Sequence, residues 1–393
     1  MIDFSSLRQH YSHFLSNHPH EIFLTGHSHQ FWLDASRDAH TKAWDDAAKH
    51  VDDKWAIVFG EVIPKFQSHV AKRIGETNPS LIAFGQNTLE FSYRLLSSFP
   101  SNRPMHIVTT TSEFHSLSRL LARMKEEGVE VSYVSTDDRD TLTERIIDAI
   151  TERTTLVMIS LVLFDTSYVV QRVKEICARA KGVGAQIFLD AYHAFNVLPL
   201  SIDEMHEDVF LVGGGYKYAQ SGEGAAWMRI PKHTQLRPMY TGWFADFAGL
   251  ESSDARNSVQ YASDAFRFVG ATFDPTPFYR ANAVFDFFDA HGLTPEILHA
   301  RSLALTTFII ELFDSLKLES LGLELASSRL QNERGGFISF SHAHAIELCA
   351  RLQKNGIRSD ARGKHLRFGP APFLLEEEIE KAMRELNIVL ENF

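Results

Sequence analysis

The sequence predicts an α/β protein with a mostly parallel sheet covered by helices, followed by a smaller α+β region. Three observations carry this. From about residue 60 to about residue 265, short apolar runs alternate with charged segments of helical periodicity, the pattern of strand–helix–strand units. Beyond that point the alternation gives way to two long helical stretches and a single strand candidate. The chain has 393 residues, more than the roughly 250–300 at which one hydrophobic core stops growing.

Residues 62–74 carry apolar side chains at helical spacing, tolerate Pro64 in a first turn and stop at Gly75. Strand-like runs follow at 81–84, 106–109, 129–134, 155–163, 185–189 and 209–212, with amphipathic segments such as 117–127 and 137–150 between them. Stretches 278–291 and 294–316 read as long helices, 336–341 as a strand and 343–355 as a helix. The expected division is an N-terminal segment 1–55 packing on the small domain or on a partner subunit, a large α/β domain 56–275, and a small C-terminal α+β domain 276–393.

Composition narrows the class. With 44% hydrophobic and 23% charged residues the chain is an ordinary globular protein. Its 39 basic and 50 acidic residues give a net charge of -11, and no basic run stands out, which argues against nucleic acid or an anionic membrane as partner. Cys177 and Cys349 are the only cysteines, too few for a disulfide framework and suited to a reducing compartment. The first twenty residues are polar with no apolar h-region, and the longest apolar stretch, 156–164, is broken by Ser160 and too short to span a bilayer. The expectation is a soluble cytoplasmic protein. His18, His20, His27 and His29 cluster without a cysteine or carboxylate at ligand spacing, so no metal site is expected.

Ligands of open α/β sheets sit beyond the carboxyl ends of the strands, and three polar groups fall there. Asp190 ends the run 185–189. A carboxylate near a dry pocket needs a cationic or hydrogen-bonding partner. A pyridinium nitrogen would serve, and a protonated ring is the electron sink of pyridoxal phosphate (PLP) chemistry; a helix N-cap is the alternative. Lys217 lies in Gly213-Gly214-Gly215-Tyr216-Lys217-Tyr218 after the run 209–212. The glycines permit close backbone approach and positive φ, and a lysine between aromatics loses solvation, so its pKa falls toward the neutral amine that condensation with an aldehyde requires. A surface turn is the other reading. Gln86-Asn87-Thr88 follows the run 81–84, where helix-opening N–H groups and a threonine hydroxyl suit a phosphate, although Asn-Thr is also an ordinary N-cap. Phosphate loop, carboxylate and lysine, in that order in a parallel-sheet context, point together to PLP. No Walker or dinucleotide glycine fingerprint is present.

The stretch 190–225, DAYHAFNVLPLSIDEMHEDVFLVGGGYKYAQSGEGA, resembles the cofactor-lysine region of kynureninases, PLP enzymes of fold type I in the class V aminotransferase superfamily. The resemblance implies a mostly parallel seven-stranded sheet covered by helices, with a smaller C-terminal α+β domain. It implies a Schiff base on Lys217, Asp190 at the ring nitrogen with His193 beside it, and Phe114 stacked on the ring. Asn87, Thr88 and Tyr216 would bind the phosphate. Thr241-Gly242-Trp243-Phe244 resembles the segment whose tryptophan is carried by the neighbouring subunit near the phosphate, implying a homodimer with shared active sites. Segments 359–362 and 366–372 resemble the small-domain region whose arginine, here Arg367, binds the substrate carboxylate, a role suited to a bidentate guanidinium.

Three departures stand out. Phe164 replaces a tyrosine of the family. Thr272, counted with the cofactor-binding residues, replaces an asparagine expected to contact the aromatic end of the substrate. Residues 114–117 lack the proline and aspartate of the family's Phe-Pro-Thr-Asp. The implied reaction is hydrolytic Cβ–Cγ cleavage of kynurenine or a related γ-keto amino acid, giving alanine and an aromatic acid. Aminotransferase, β-lyase and desulfurase activities on another amino acid are the alternatives. A desulfurase needs a reactive, exposed thiolate, and both cysteines fall on helical faces read as core.

Overall fold

The computed structural model describes residues 2–100, 104–251 and 258–393. Its main sheet has seven strands, β1 (Ile82–Gly85), β2 (His106–Thr110), β3 (Glu130–Val134), β4 (Leu156–Ser160), β5 (Gln186–Asp190), β6 (Val209–Gly214) and β7 (Ala226–Arg229), in the order β1-β7-β6-β5-β4-β2-β3. Strands β2 to β6 run parallel, while β7 is antiparallel to both its neighbours, β6 and β1. β1 therefore points the same way as β6, and Gly85 and Gly214 both pair with Ala226. That shared register brings the loop after β1 and the loop after β6 to one edge of the sheet. β7 escaped the sequence reading because four residues ending in Arg229 carry too little period to register.

Residues 156–159, 187–189 and 209–212 are buried without exception. Such near-continuous apolar runs belong to strands covered on both faces. The cover comes from helices α1 (Ala35–His50), α2 (Ile63–Arg73), α3 (Thr88–Leu96), α4 (His115–Glu126), α5 (Leu142–Ala149), α6 (Val173–Gly182) and α7 (Thr276–Ala290). Gly75, at φ +67°, ends α2 as its position in the sequence indicates. The apolar run 155–163 stops short as a strand at Ser160, because the chain turns back through a bridge between Val162 and Val169.

The chain continues through α8 (Pro295–Ser315), α9 (Ala345–Lys354) and α10 (Glu376–Glu391) around a second, antiparallel sheet. Its strands β8 (Glu324–Leu325), β9 (Ile338–Ser341), β10 (Asp360–Arg362) and β11 (His365–Phe368) lie in the order β10-β11-β9-β8. Two apolar clusters result. The first surrounds the main sheet and includes Phe278, Phe285 and Leu298; the second includes Leu305, Ile309 and Phe313 with Ile338, Leu348 and Leu386. The 21-residue α8 thus roots its first turns in one core and its later turns in the other. The N-terminal segment touches both. Leu7, Tyr11, Phe31 and Leu33 join the first cluster, whereas Ile22–Phe23 pairs in parallel with Ile357–Arg358. No helix among the described residues is long and apolar enough to cross a membrane.

Candidate active site

Parallel strands that start in register finish in register, so the polar residues at their ends collect along one edge. Asp190 is the last residue of β5 and pairs with Ser160, the last of β4. Glu113 and Phe114 follow β2, and Lys217 lies three residues beyond β6. Asn87 and Thr88 open α3 directly after β1.

Lys217 is 3% exposed. Its Nζ lies 2.9 Å from His193 Nε2, 4.7 Å from the centre of the Tyr192 ring, 4.9 Å from that of Phe114 and 5.6 Å from that of Tyr216. Burial lowers its pKa to about 7; Asp190 pulls it back up and Arg367 pushes it further down. The same burial holds His193 well below the usual imidazole range, with Lys217 and Arg367 adding to the effect, so it is a neutral ring at physiological pH. Burial raises the phenol of Tyr216 to about 12.

The three glycines before Tyr216 do not adopt the positive φ anticipated for them. Their purpose is proximity. A Cβ on Gly213 would lie 2.5 Å from the Trp227 ring, and one on Gly214 2.5 Å from the Tyr192 hydroxyl. Behind the loop, Asn196 donates its amide to the Tyr218 carbonyl at 3.0 Å and accepts from buried Arg73 at 2.8 Å, fixing the turn from the far side.

Asp190 accepts the Tyr192 N–H at 2.7 Å on Oδ1. Burial raises its pKa, opposed by that N–H and by the charge of Lys217. The residue as a whole is half-buried, and among the described residues no hydrogen bond to its Oδ2 is formed. Such a carboxyl becomes a stable anion once a cation is brought to it.

Arg367 stands on β11, 3% exposed, and is joined to the lysine's surroundings by two rings. Phe164 lies 6.0 Å from Phe114 and 5.9 Å from the Arg367 guanidinium, and Phe337 lies 6.0 Å from His193 and 5.7 Å from the same guanidinium.

The residues singled out from sequence therefore divide. Lys217, Asp190, His193, Phe114 and Tyr216 come together, with Arg367 one ring away. Asn87 and Thr88 share their edge of the sheet, but the Asn87 side chain serves as the N-cap of α3, accepting the Glu90 N–H at 3.0 Å. Trp243 is 44% exposed and lies against Phe244 and Phe247. Thr272 is exposed. Cys177 is buried, with its thiol pushed up to about 12 by burial; Cys349 is half-buried rather than core, with Sγ 3.4 Å from the Ser359 hydroxyl. No three His, Cys, Asp or Glu side chains gather as metal ligands among the described residues.

Several site residues carried no usable sequence signal. Glu113 is the most consequential. It is buried and accepts hydrogen bonds from Thr110 Oγ1 and Ser160 Oγ, both at 2.6 Å. Burial pushes its pKa up to about 7; the Ser160 and Thr110 hydroxyls oppose the rise and the Asp190 charge adds to it. Because the folded-state value exceeds the unfolded value of 4.5, the folded protein holds this proton more tightly. The resulting stability is complete below the unfolded pKa and is lost as pH rises through about 7. Urea unfolding of Glu113→Gln between about pH 5 and about pH 8 is expected to lack a fall of about 2.5 kcal/mol seen in the parent. Identical pH dependence in the two proteins would refute the assignment.

These residues fit PLP. A buried, nearly neutral amine suits an aldehyde, stacked aromatics suit a pyridine ring, an unsatisfied carboxyl suits a ring N–H⁺, and the start of α3 suits a phosphate.

Comparison with known proteins agrees. The family model described as aminotransferase class V matches residues 48–385. The kynureninase of Geobacillus thermodenitrificans is 25% identical over 339 residues, covering 83% of this chain and 76% of that protein. The kynureninase of Bacillus thuringiensis is 26% identical over 266 residues, 66% of this chain and 60% of that protein, so the match spans less than two thirds of its length. Among solved structures, a mutant of C-DES with glycine covalently linked to its PLP cofactor superposes with a TM-score of 0.82 at 16% identity, over 97% of this chain and 98% of that one, which establishes the fold. The chain belongs to the class V aminotransferase family of PLP enzymes and is kynureninase-like within it.

Proposed function

We propose that the chain is a PLP-dependent hydrolase that cleaves the Cβ–Cγ bond of kynurenine or a related γ-keto amino acid, releasing alanine and an aromatic acid. The observation that carries this reading is the similarity to kynureninases over 83% of the chain. The Lys217 cluster facing Arg367 across two aromatic rings is consistent with it.

When bound, the cofactor supplies an electron sink conjugated to the substrate Cα. Lys217 holds it covalently, and Asp190 holds its ring nitrogen in the protonated form. Phe114 and His193 position the ring, while Thr88, the N–H groups opening α3 at Asn87, and Tyr216 take the phosphate. Arg367 takes the substrate carboxylate. Once the substrate amine has taken its place on the cofactor, the freed Lys217 Nζ, whose pKa is lowered to about 7, would move the Cα proton. Phe164 and Phe337 offer apolar walls for the aromatic end. Trp243 and Thr272, exposed on a single chain, complete the site of a second copy, making the active assembly a homodimer that acts on a small amino acid.

Incubating the purified protein and PLP with kynurenine or 3-hydroxykynurenine tests this. Alanine and the aromatic acid are expected without any added keto acid. Turnover only when a keto acid is supplied would identify an aminotransferase instead, and no alanine from either compound would remove the kynureninase assignment.

A further inference from the structure

Arg367 is not free. It lies directly opposite Asp360 across the β10–β11 pair, and one of its terminal nitrogens donates to the Asp360 carboxylate. The other donates to the Phe164 carbonyl at 2.5 Å, while Nε is buried with no partner. Asp360 is further tied to Arg362 at 3.1 Å. A carboxylate of this chain thus sits on the guanidinium assigned to the substrate carboxylate.

Beside this pair lies His27, 0% exposed, with neither ring nitrogen hydrogen-bonded. Its ring stacks on Phe337 at 4.6 Å, and its Nε2 stands 3.7 Å from Asp360 Oδ2, just outside hydrogen-bonding distance. Buried polar groups are normally paired, so an imidazole left unpaired a fraction of an ångström from a carboxylate calls for an explanation.

Charge counting supplies one. With His27 neutral, the two buried charges, Arg367 and Asp360, cancel, while Arg362, whose side chain is 48% exposed, is largely screened by solvent. A second carboxylate arriving at Arg367 leaves one uncompensated negative charge in a buried place, which is strongly unfavourable unless a proton follows. We propose that Asp360 occupies Arg367 as an internal stand-in for the substrate carboxylate, and that substrate binding passes Asp360 to His27, which takes up one proton from solvent. This rests on the reading of Arg367 as the carboxylate anchor. The charged and titratable groups facing His27 are Arg367, Asp360, Lys217 and His193. In the free protein, burial together with the Arg367 charge holds His27 down to about 3. Neutralising Arg367 and bringing Asp360 into contact both act upward.

The test uses PLP-loaded protein and 3-phenylpropanoate, a carboxylate with an aromatic end and no amine to react with the cofactor. Its affinity is expected to rise about tenfold per pH unit as pH falls from about 7.5 to about 5.5, with close to one proton taken up by calorimetry in two buffers. Asp360→Asn, which no longer adds a second carboxylate, is expected to bind the probe more tightly at about pH 7.5 and without pH dependence. His27→Gln is expected to bind it with the pH dependence lost, and this variant decides the matter should Asp360→Asn fail to fold. Binding that depends on Arg367 but takes up no proton, or that keeps its pH slope in either variant, overturns the proposal and spares the anchor. A probe that fails to bind, or that binds equally to Arg367→Gln, overturns the anchor reading itself.

Discussion

Lys217→Ala is expected to lower turnover by about four orders of magnitude or more, since it removes both the covalent attachment and the base that moves the Cα proton. The size follows from the surroundings. Nζ is enclosed by Phe114, Tyr192 and Tyr216, and its nearest polar neighbour is a neutral imidazole 2.9 Å away. No other lysine lies in that enclosure among the described residues to take over. Borohydride reduction of the PLP-loaded protein gives a direct readout: a cofactor-sized mass should become fixed to the peptide containing Lys217 in the parent and to no peptide of the variant. Turnover within tenfold of the parent would remove Lys217 from the mechanism.

Asp190→Asn should cost roughly 10²–10³-fold in kcat, the usual consequence of removing one preorganised electrostatic partner, while leaving borohydride fixation on Lys217 intact. The two ends of the site separate here. Asp190 raises the pKa of Lys217, so its removal leaves the lysine, if anything, a freer amine. A loss of rate therefore cannot come from an over-protonated lysine and must arise where the carboxyl meets the ring nitrogen. An asparagine variant with kcat within tenfold of the parent would show that the carboxyl has no such part.

Much of this was legible in the chain because strand ends are local features. Asp190 and Lys217 each fall at the end of an apolar run, and a parallel sheet brings such positions together without long-range information; Phe114 was legible only through the resemblance to kynureninases. What escaped notice depends on distance. Glu113 reads as a charged residue in a loop until Thr110 and Ser160 close over it. His27 and Asp360 meet from positions more than three hundred residues apart, and no local pattern announces such a pair. Trp243 and Thr272 are exposed on the single chain, and the roles proposed for them call on a second copy, which one sequence does not describe. β7 was missed for want of length, although it is the strand that sets β1 level with β6.

Helix α8 has a mechanical consequence. One continuous rod has an end planted in each apolar cluster, with Leu298 in the first and Leu305, Ile309 and Phe313 in the second. Arg367 belongs to the side of the later turns and Lys217 to the side of the first. Any hinge-like rocking that widens or narrows the gap between these two side chains must bend or pivot this rod, because its ladder of i to i−4 hydrogen bonds resists stretching. Amide exchange along α8 should therefore report how tightly the two halves of the molecule open and close as one.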